Sequence, residues 1–274
     1  MSVKTFLSLL ILVQLLLPSN LKVLTYNIHA LSPMIAGDSP GLRVPKILNS
    51  SKSYNLIFIQ ENWIFDYGYL KSKLPNHNLI ISNQSKFIWP LSTWLNSNGS
   101  GLTIAISDKH EIVNFHEEKF NVCSGWLSKA NDCLSSKGFQ HAQIEVDGRR
   151  VDIYNTHLDA GSARSDISSR EEQISHIINY ILKNSSGYPI ILSGDLNINQ
   201  LDIDESKTIE RLIDSLGLDI VNWSSKNPYE REVLDYILYR DLNLNDDGFG
   251  VNATLLGLSD HPPIEAEFTT KKNN

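Results

Sequence analysis

Apolar residues in this chain gather in short runs bounded by Asn, Ser, Asp and Gly, and only a few segments space them at helical intervals. Runs rich in Ile, Val and Leu at residues 21–24, 55–60, 79–82, 102–107, 112–115, 139–146, 151–154, 189–192, 218–221, 233–239, 252–256 and 264–268 each read as a strand. Asp147-Gly148 joins two of them as a hairpin, because both residue types tolerate the left-handed backbone that matches strand twist. Three segments switch to a helical period. Residues 41–50 align Leu42, Val44, Ile47 and Leu48, and residues 168–183 align Ile174, Ile177, Ile178 and Ile181 behind the acidic pair Glu171-Glu172. Residues 205–216 form the third and stop at Gly217. Strands without strict helix alternation predict two packed sheets flanked by helices.

The amino terminus breaks this pattern. Lys4 precedes an apolar stretch over 6–17, interrupted only by Ser8 and Gln14, and Pro18-Ser19-Asn20 follows, which is the layout of an export signal. Cleavage is expected after Ser19, leaving residues 20–274 as one domain of a secreted protein; an uncleaved anchor is the alternative. As a helix the apolar stretch would reach about 18 Å, short of the roughly 30 Å hydrocarbon core. Export makes the pair Cys123 and Cys133 a candidate disulfide. Sequons stand at Asn49, Asn83, Asn98, Asn184, Asn222 and Asn252 in a chain rich in Asn and Ser. The net charge of −7 provides no global positive field to gather nucleic acid.

Chemistry concentrates where the apolar runs end. Thr25-Tyr26-Asn27, Gln60-Glu61-Asn62, Asn155-Thr156-His157-Leu158-Asp159, Gly194-Asp195-Leu196-Asn197, Leu234-Asp235-Tyr236 and Ser259-Asp260-His261-Pro262 collect carboxylates, carboxamides and two imidazoles. Oxygen ligands suit a hard divalent cation, and imidazoles move protons. Asp235 interrupts an apolar strand, where a lone carboxylate would be costly without a partner.

These fragments, in this order and spacing, resemble the endonuclease/exonuclease/phosphatase superfamily with its deoxyribonuclease-I-like fold. The resemblance implies a four-layered α/β sandwich with two mostly antiparallel sheets, and a phosphodiesterase using one or two Mg²⁺ ions. Asn27, Glu61 and Asp260 would serve the metal, His261 would be the general base oriented by Asp235, and Asp195 and Asn197 would orient water and the phosphoryl oxygen. His157 would bind or protonate a phosphate oxygen, with Asn155 on the same face; Asp159 is either near the metal or a loop cap. Lys137-Gly138-Phe139 and Arg170 with Gln173 look most like secreted sphingomyelinase-type enzymes, while Arg170 equally suits a helix-surface ion pair. The expected substrate is a phospholipid or other phosphodiester, with nucleic acid less favoured; a secreted deoxyribonuclease-I-like nuclease or a catalytically silent binding module are the alternatives, and a monomer is expected. Phe87, Trp89 and Trp94 suit either peripheral membrane contact or a loop folded on the core.

Overall fold

The computed structural model describes residues 20–33, 37–82, 99–125, 132–134, 137–226 and 232–271. The expected leader over 1–19, the aromatic residues Phe87, Trp89 and Trp94, and the sequons at Asn83 and Asn98 lie outside the described residues. In chain order come β1 (Leu21–Ala30), α1 (Pro40–Ser50), β2 (Leu56–Asn62), α2 (Tyr67–Lys73), β3 (His77–Ile81), β4 (Thr103–Ser107) and β5 (Ile112–Lys119). Then follow β6 (Gly138–Val146), β7 (Arg149–His157), α3 (Arg164–Asn184), β8 (Ile190–Asp195), α4 (Ile203–Leu216) and β9 (Asp219–Ile220). The chain closes with β10 (Asp235–Arg240), β11 (Leu242–Leu244), β12 (Gly250–Val251) and β13 (Ile264–Thr270).

One sheet runs β11-β13-β1-β2-β4-β3, with β12 also on β13, and the other runs β5-β6-β7-β8-β10-β9. Each holds a single parallel pair among the described residues, β1 with β2 and β7 with β8. Parallel neighbours need a crossover. Helices α1 and α3 supply it, so the carboxyl ends of all four strands open on one rim. β10 runs antiparallel to β8 and starts at that rim, setting Asp235 opposite Asp195.

Strand β1 is buried on both faces. Leu21 and Val23 join the core between the sheets with Phe58, Ile104, Ile144 and Ile153, while Leu24, Tyr26 and Ile28 pack beneath Val44, Ile47 and Leu48 of α1. Burial on both sides explains the continuous apolar reading of this strand. Each such side chain contributes about 1.5–3 kcal/mol before ordering entropy is subtracted. Asn155 sits in the same interface: its Nδ2 donates to the carbonyls of Ile59 and Thr103 at 3.0 and 3.1 Å, and its Oδ1 accepts from Gln60 Nε2 at 2.7 Å. This one carboxamide fixes the second sheet against two strands of the first.

Most expected elements form, including the hairpin, where Asp147 and Gly148 take φ of 53° and 73°. Residues 252–256 do not form the expected strand. Asn252 Oδ1 accepts from the Thr254 and Leu255 amides at 2.9 and 3.2 Å, a turn that competes with a ladder, and only Gly250–Val251 pair. The 218–221 strand shrinks to two residues. α2 escaped the periodicity argument because only Leu70 is buried on it; its start is set by Asp66, which accepts from the Tyr69 amide. Cys123 and Cys133 are bridged as expected. Among the described residues no helix is long and apolar enough to cross a membrane.

Candidate active site

Three adjacent strands set three polar groups side by side. His157 at the end of β7 pairs in register with Asp195 at the end of β8, and Asp195 pairs with Asp235 at the start of β10. Gly194 makes the first of these neighbours possible. At φ 143° it lies so close to β7 that a Cβ would stand 1.9 Å from the Thr156 carbonyl oxygen, and only hydrogen fits. From the other sheet, β1 and β2 bring Asn27 and Glu61 to the same rim.

Asp195 Oδ2 lies at the centre. Asn27 Nδ2 donates to it at 3.1 Å, His157 Nε2 lies 3.4 Å away and His261 Nε2 lies 3.7 Å away. Asn27 Nδ2 also donates to Glu61 Oε1 at 3.0 Å, so one amide joins two carboxylates from different sheets. Asp195 Oδ1 accepts from the Asn197 amide at 2.9 Å, and Asn197 Nδ2 donates to the Leu158 carbonyl at 3.1 Å. Glu61 and Asn197 hold left-handed φ of 57° and 50°, conformations that non-glycine residues keep only where the surroundings enforce them.

His261 Nδ1 lies 2.8 Å from Asp235 Oδ2, a buried, charge-assisted pair. Burial disfavours the imidazolium, but the carboxylates of Asp235 and Asp195 outweigh it and raise the His261 pKa above the ordinary histidine value. Burial likewise raises Asp235 against the pull of His261. Glu61 is raised for the same reason, opposed by its bond to Asn27 and by the Lys137 charge. His157 goes the other way: burial, then the charges of Lys137 and His261, push it well below the ordinary value and keep it neutral.

Lys137 received no role from the sequence, yet its Nζ lies 3.1 Å from His157 Nε2, 2.6 Å from the Leu158 carbonyl and 2.8 Å from Asp132 Oδ1. An ammonium has only donors, so His157 Nε2 accepts, and the cation at this corner is Lys137 rather than an imidazolium. Its signals in the sequence were its place in Lys137-Gly138-Phe139 and its position abutting a strand that becomes buried. Arg170 forms an ion pair with Glu205 at 3.4 Å, but at 2% exposed it is buried rather than on the helix surface, and it donates to the carbonyls of Asp159 and Gly161 at 3.1 and 2.7 Å. Gln173 accepts from the Asp159 amide and donates to the Val122 carbonyl, and Asp159 Oδ2 accepts from the Ser124 amide at 2.7 Å. Asp159 is thus a loop clamp. Asp260 stands at the open edge, 59% exposed, with Oδ1 3.8 Å from His29 Nδ1.

The donor set fits a hard divalent cation. Asp235 Oδ1 is buried with no hydrogen-bond partner among the described residues, atoms of Asp195, Asp235 and His261 lie within 4.8 Å of one another, and Glu61 is joined to Asp195 through Asn27.

No protein-family model matches the chain. Its two sheets and flanking helices form a deoxyribonuclease-I-like sandwich; an endonuclease/exonuclease/phosphatase from Bacteroides vulgatus superposes with TM-score 0.68 at 16% identity, over 92% of this chain and all of the other. Within that fold the chain resembles sphingomyelinases. The sphingomyelinase of Mycobacterium tuberculosis is 24% identical over 272 residues, 90% of this chain and 52% of the relative, so the chain spans about half of that relative's length. A beta-toxin variant from Staphylococcus aureus with bound magnesium ions superposes with TM-score 0.67 at 22% identity, covering 92% of this chain and 100% of the toxin.

Proposed function

We propose that the chain is an exported, Mg²⁺-dependent phosphodiesterase acting on a sphingomyelin-like or other phospholipid. The observation that carries this reading is the convergence on one rim of Asn27, Glu61, His157, Asp195, Asn197, Asp235 and His261, in a chain that resembles sphingomyelinases. Glu61, with Asn27 beside it, would hold the ion, which when bound polarises the phosphoryl oxygens and offsets the charge that develops on them. His261 takes a proton from the attacking water at Nε2 while Asp235 holds Nδ1. Asp195, 3.7 Å from that Nε2, accepts the water's second hydrogen bond. Asn197 would donate to a phosphoryl oxygen, and the positive charge of Lys137 beside His157 would offset charge developing there. The leader over 1–19 supports export, and Phe87, Trp89 and Trp94 support peripheral contact of a monomer with its lipid.

The test is hydrolysis of sphingomyelin, phosphatidylcholine, a soluble phosphodiester and plasmid DNA, each with Mg²⁺ and with a chelator. Metal-dependent release of phosphocholine from sphingomyelin supports the reading. Robust DNA cleavage without lipid hydrolysis replaces the substrate and keeps the reaction class.

A further inference from the structure

β1 does not end as a regular strand. Its pairing with β2 is irregular between Asn27 and Ala30, and within that break His29 holds φ 46°, a conformation disfavoured for any residue with a Cβ. The surroundings hold it there. The His29 amide donates to Asn27 Oδ1 at 3.1 Å, and the Arg43 guanidinium donates to the carbonyls of Ile28, His29 and Leu258 while Asp38 pairs with its Nε at 2.6 Å. Strain maintained by dedicated contacts beside a reactive rim re-aims a side chain.

The side chain so aimed is an imidazole, 25% exposed, with Nδ1 3.8 Å from Asp260 Oδ1. Asp260 directly precedes His261. One loop therefore delivers the partner facing His29 and the imidazole bound to Asp235. Of the other imidazoles at the rim, His157 is 3% exposed with Nε2 facing Lys137, and His261 is held between Asp235 and Asp195. At 25% exposed, against 18% for His261 and 3% for His157, His29 is the most exposed of the three imidazoles.

We propose that His29 is a substrate-contacting residue: its Nε2–H donates to a phosphoryl oxygen of the bound phosphodiester. The contact needs one ring N–H, at Nε2, because Nδ1 at 3.8 Å from Asp260 Oδ1 is beyond hydrogen-bond distance and need not carry a proton. This inference rests on the phosphodiesterase reading and extends it to the residue that sets phosphate capture.

The experiment uses the full chain with Mg²⁺, comparing the native protein with His29→Ala and His29→Gln on a soluble phosphodiester, alongside calorimetric titration with inorganic phosphate and thermal melting. His29→Ala is expected to raise KM and the phosphate Kd by about tenfold, the worth of one hydrogen bond to a charged group, with kcat and Tm nearly unchanged. His29→Gln, which keeps an N–H donor, recovers part of the loss. Loss of Tm and kcat together, equal in the Ala and Gln variants, makes His29 a backbone support and overturns the proposal. A KM and phosphate Kd within twofold of native in His29→Ala also overturns it, leaving the phosphodiesterase reading intact. If the native protein hydrolyses no phosphodiester, that broader reading fails, and phosphate affinity alone decides His29: equal values in native and His29→Ala overturn the contact, weaker binding in the variant supports it.

Discussion

Removing the His261 imidazole leaves the Asp235 carboxylate in place without its partner. Asp235 is 1% exposed, its Oδ2 faces His261 Nδ1 at 2.8 Å, and its Oδ1 has no partner among the described residues. Breaking a buried pair by deleting one member costs about 3–5 kcal/mol, because the remaining charge is uncompensated. In a domain of this size 3 kcal/mol corresponds to roughly 6–12 °C in Tm. An amide at 235 carries no charge to leave unpaired, so the double variant Asp235→Asn/His261→Ala should recover most of that loss. Activity should behave differently. His261→Ala should lower kcat by about 10²–10⁴, and adding Asp235→Asn should lower it little further, because a base and its orienter act as one unit. The stability deficit of His261→Ala should also shrink on acidification: burial raises Asp235, so the folded variant takes up a proton before the unfolded chain does, and stability relative to native rises as pH falls. The assay is thermal melting at several pH values together with turnover of a soluble phosphodiester. Multiplicative activity losses, or a double variant less stable than His261→Ala, would refute the pairing.

Gly194→Ala should fail to fold or lose activity, since the added Cβ would stand 1.9 Å from the Thr156 carbonyl and must separate β7 from β8 where His157 faces Asp195; soluble expression and melting check this. His157 is kept neutral in the fold while the unfolded chain protonates near pH 6.5, so its contribution is complete above that pH and is lost as pH falls below it. Denaturant titrations from pH 7.5 to 5.5 should show a shallower decline for His157→Gln, with buried His77 and His110 carrying the remainder. Chelation should abolish turnover and Mg²⁺ restore it, while Glu61→Gln stays folded with a much weaker metal response; unchanged activity in that variant removes Glu61 from the site.

How much was legible in advance follows from how strands and sites are built. A strand leaving a buried sheet must exchange apolar for polar residues at the rim, so Asn27, Glu61, His157, Asp195 and Asp235 announce themselves by position and type. The hairpin at Asp147-Gly148 and the helix stop at Gly217 were legible because they depend on a residue's own backbone preference. Asn155 was read as a neighbour of His157 in the chemistry; its partners Ile59, Gln60 and Thr103 come from the other sheet, and they make it a clamp instead. Lys137 facing His157, Arg170 holding the Asp159–Gly161 turn, and Arg43 fixing the strained His29 opposite Asp260 are likewise products of tertiary approach. Residue type and spacing by themselves determined the sheets, the rim and the inventory of acids and imidazoles, because those follow from local burial and backbone preference. Only the folded arrangement decided which cation meets which imidazole and which carboxylate stays open to solvent, because those contacts join segments far apart in the chain whose mutual distance no local pattern encodes.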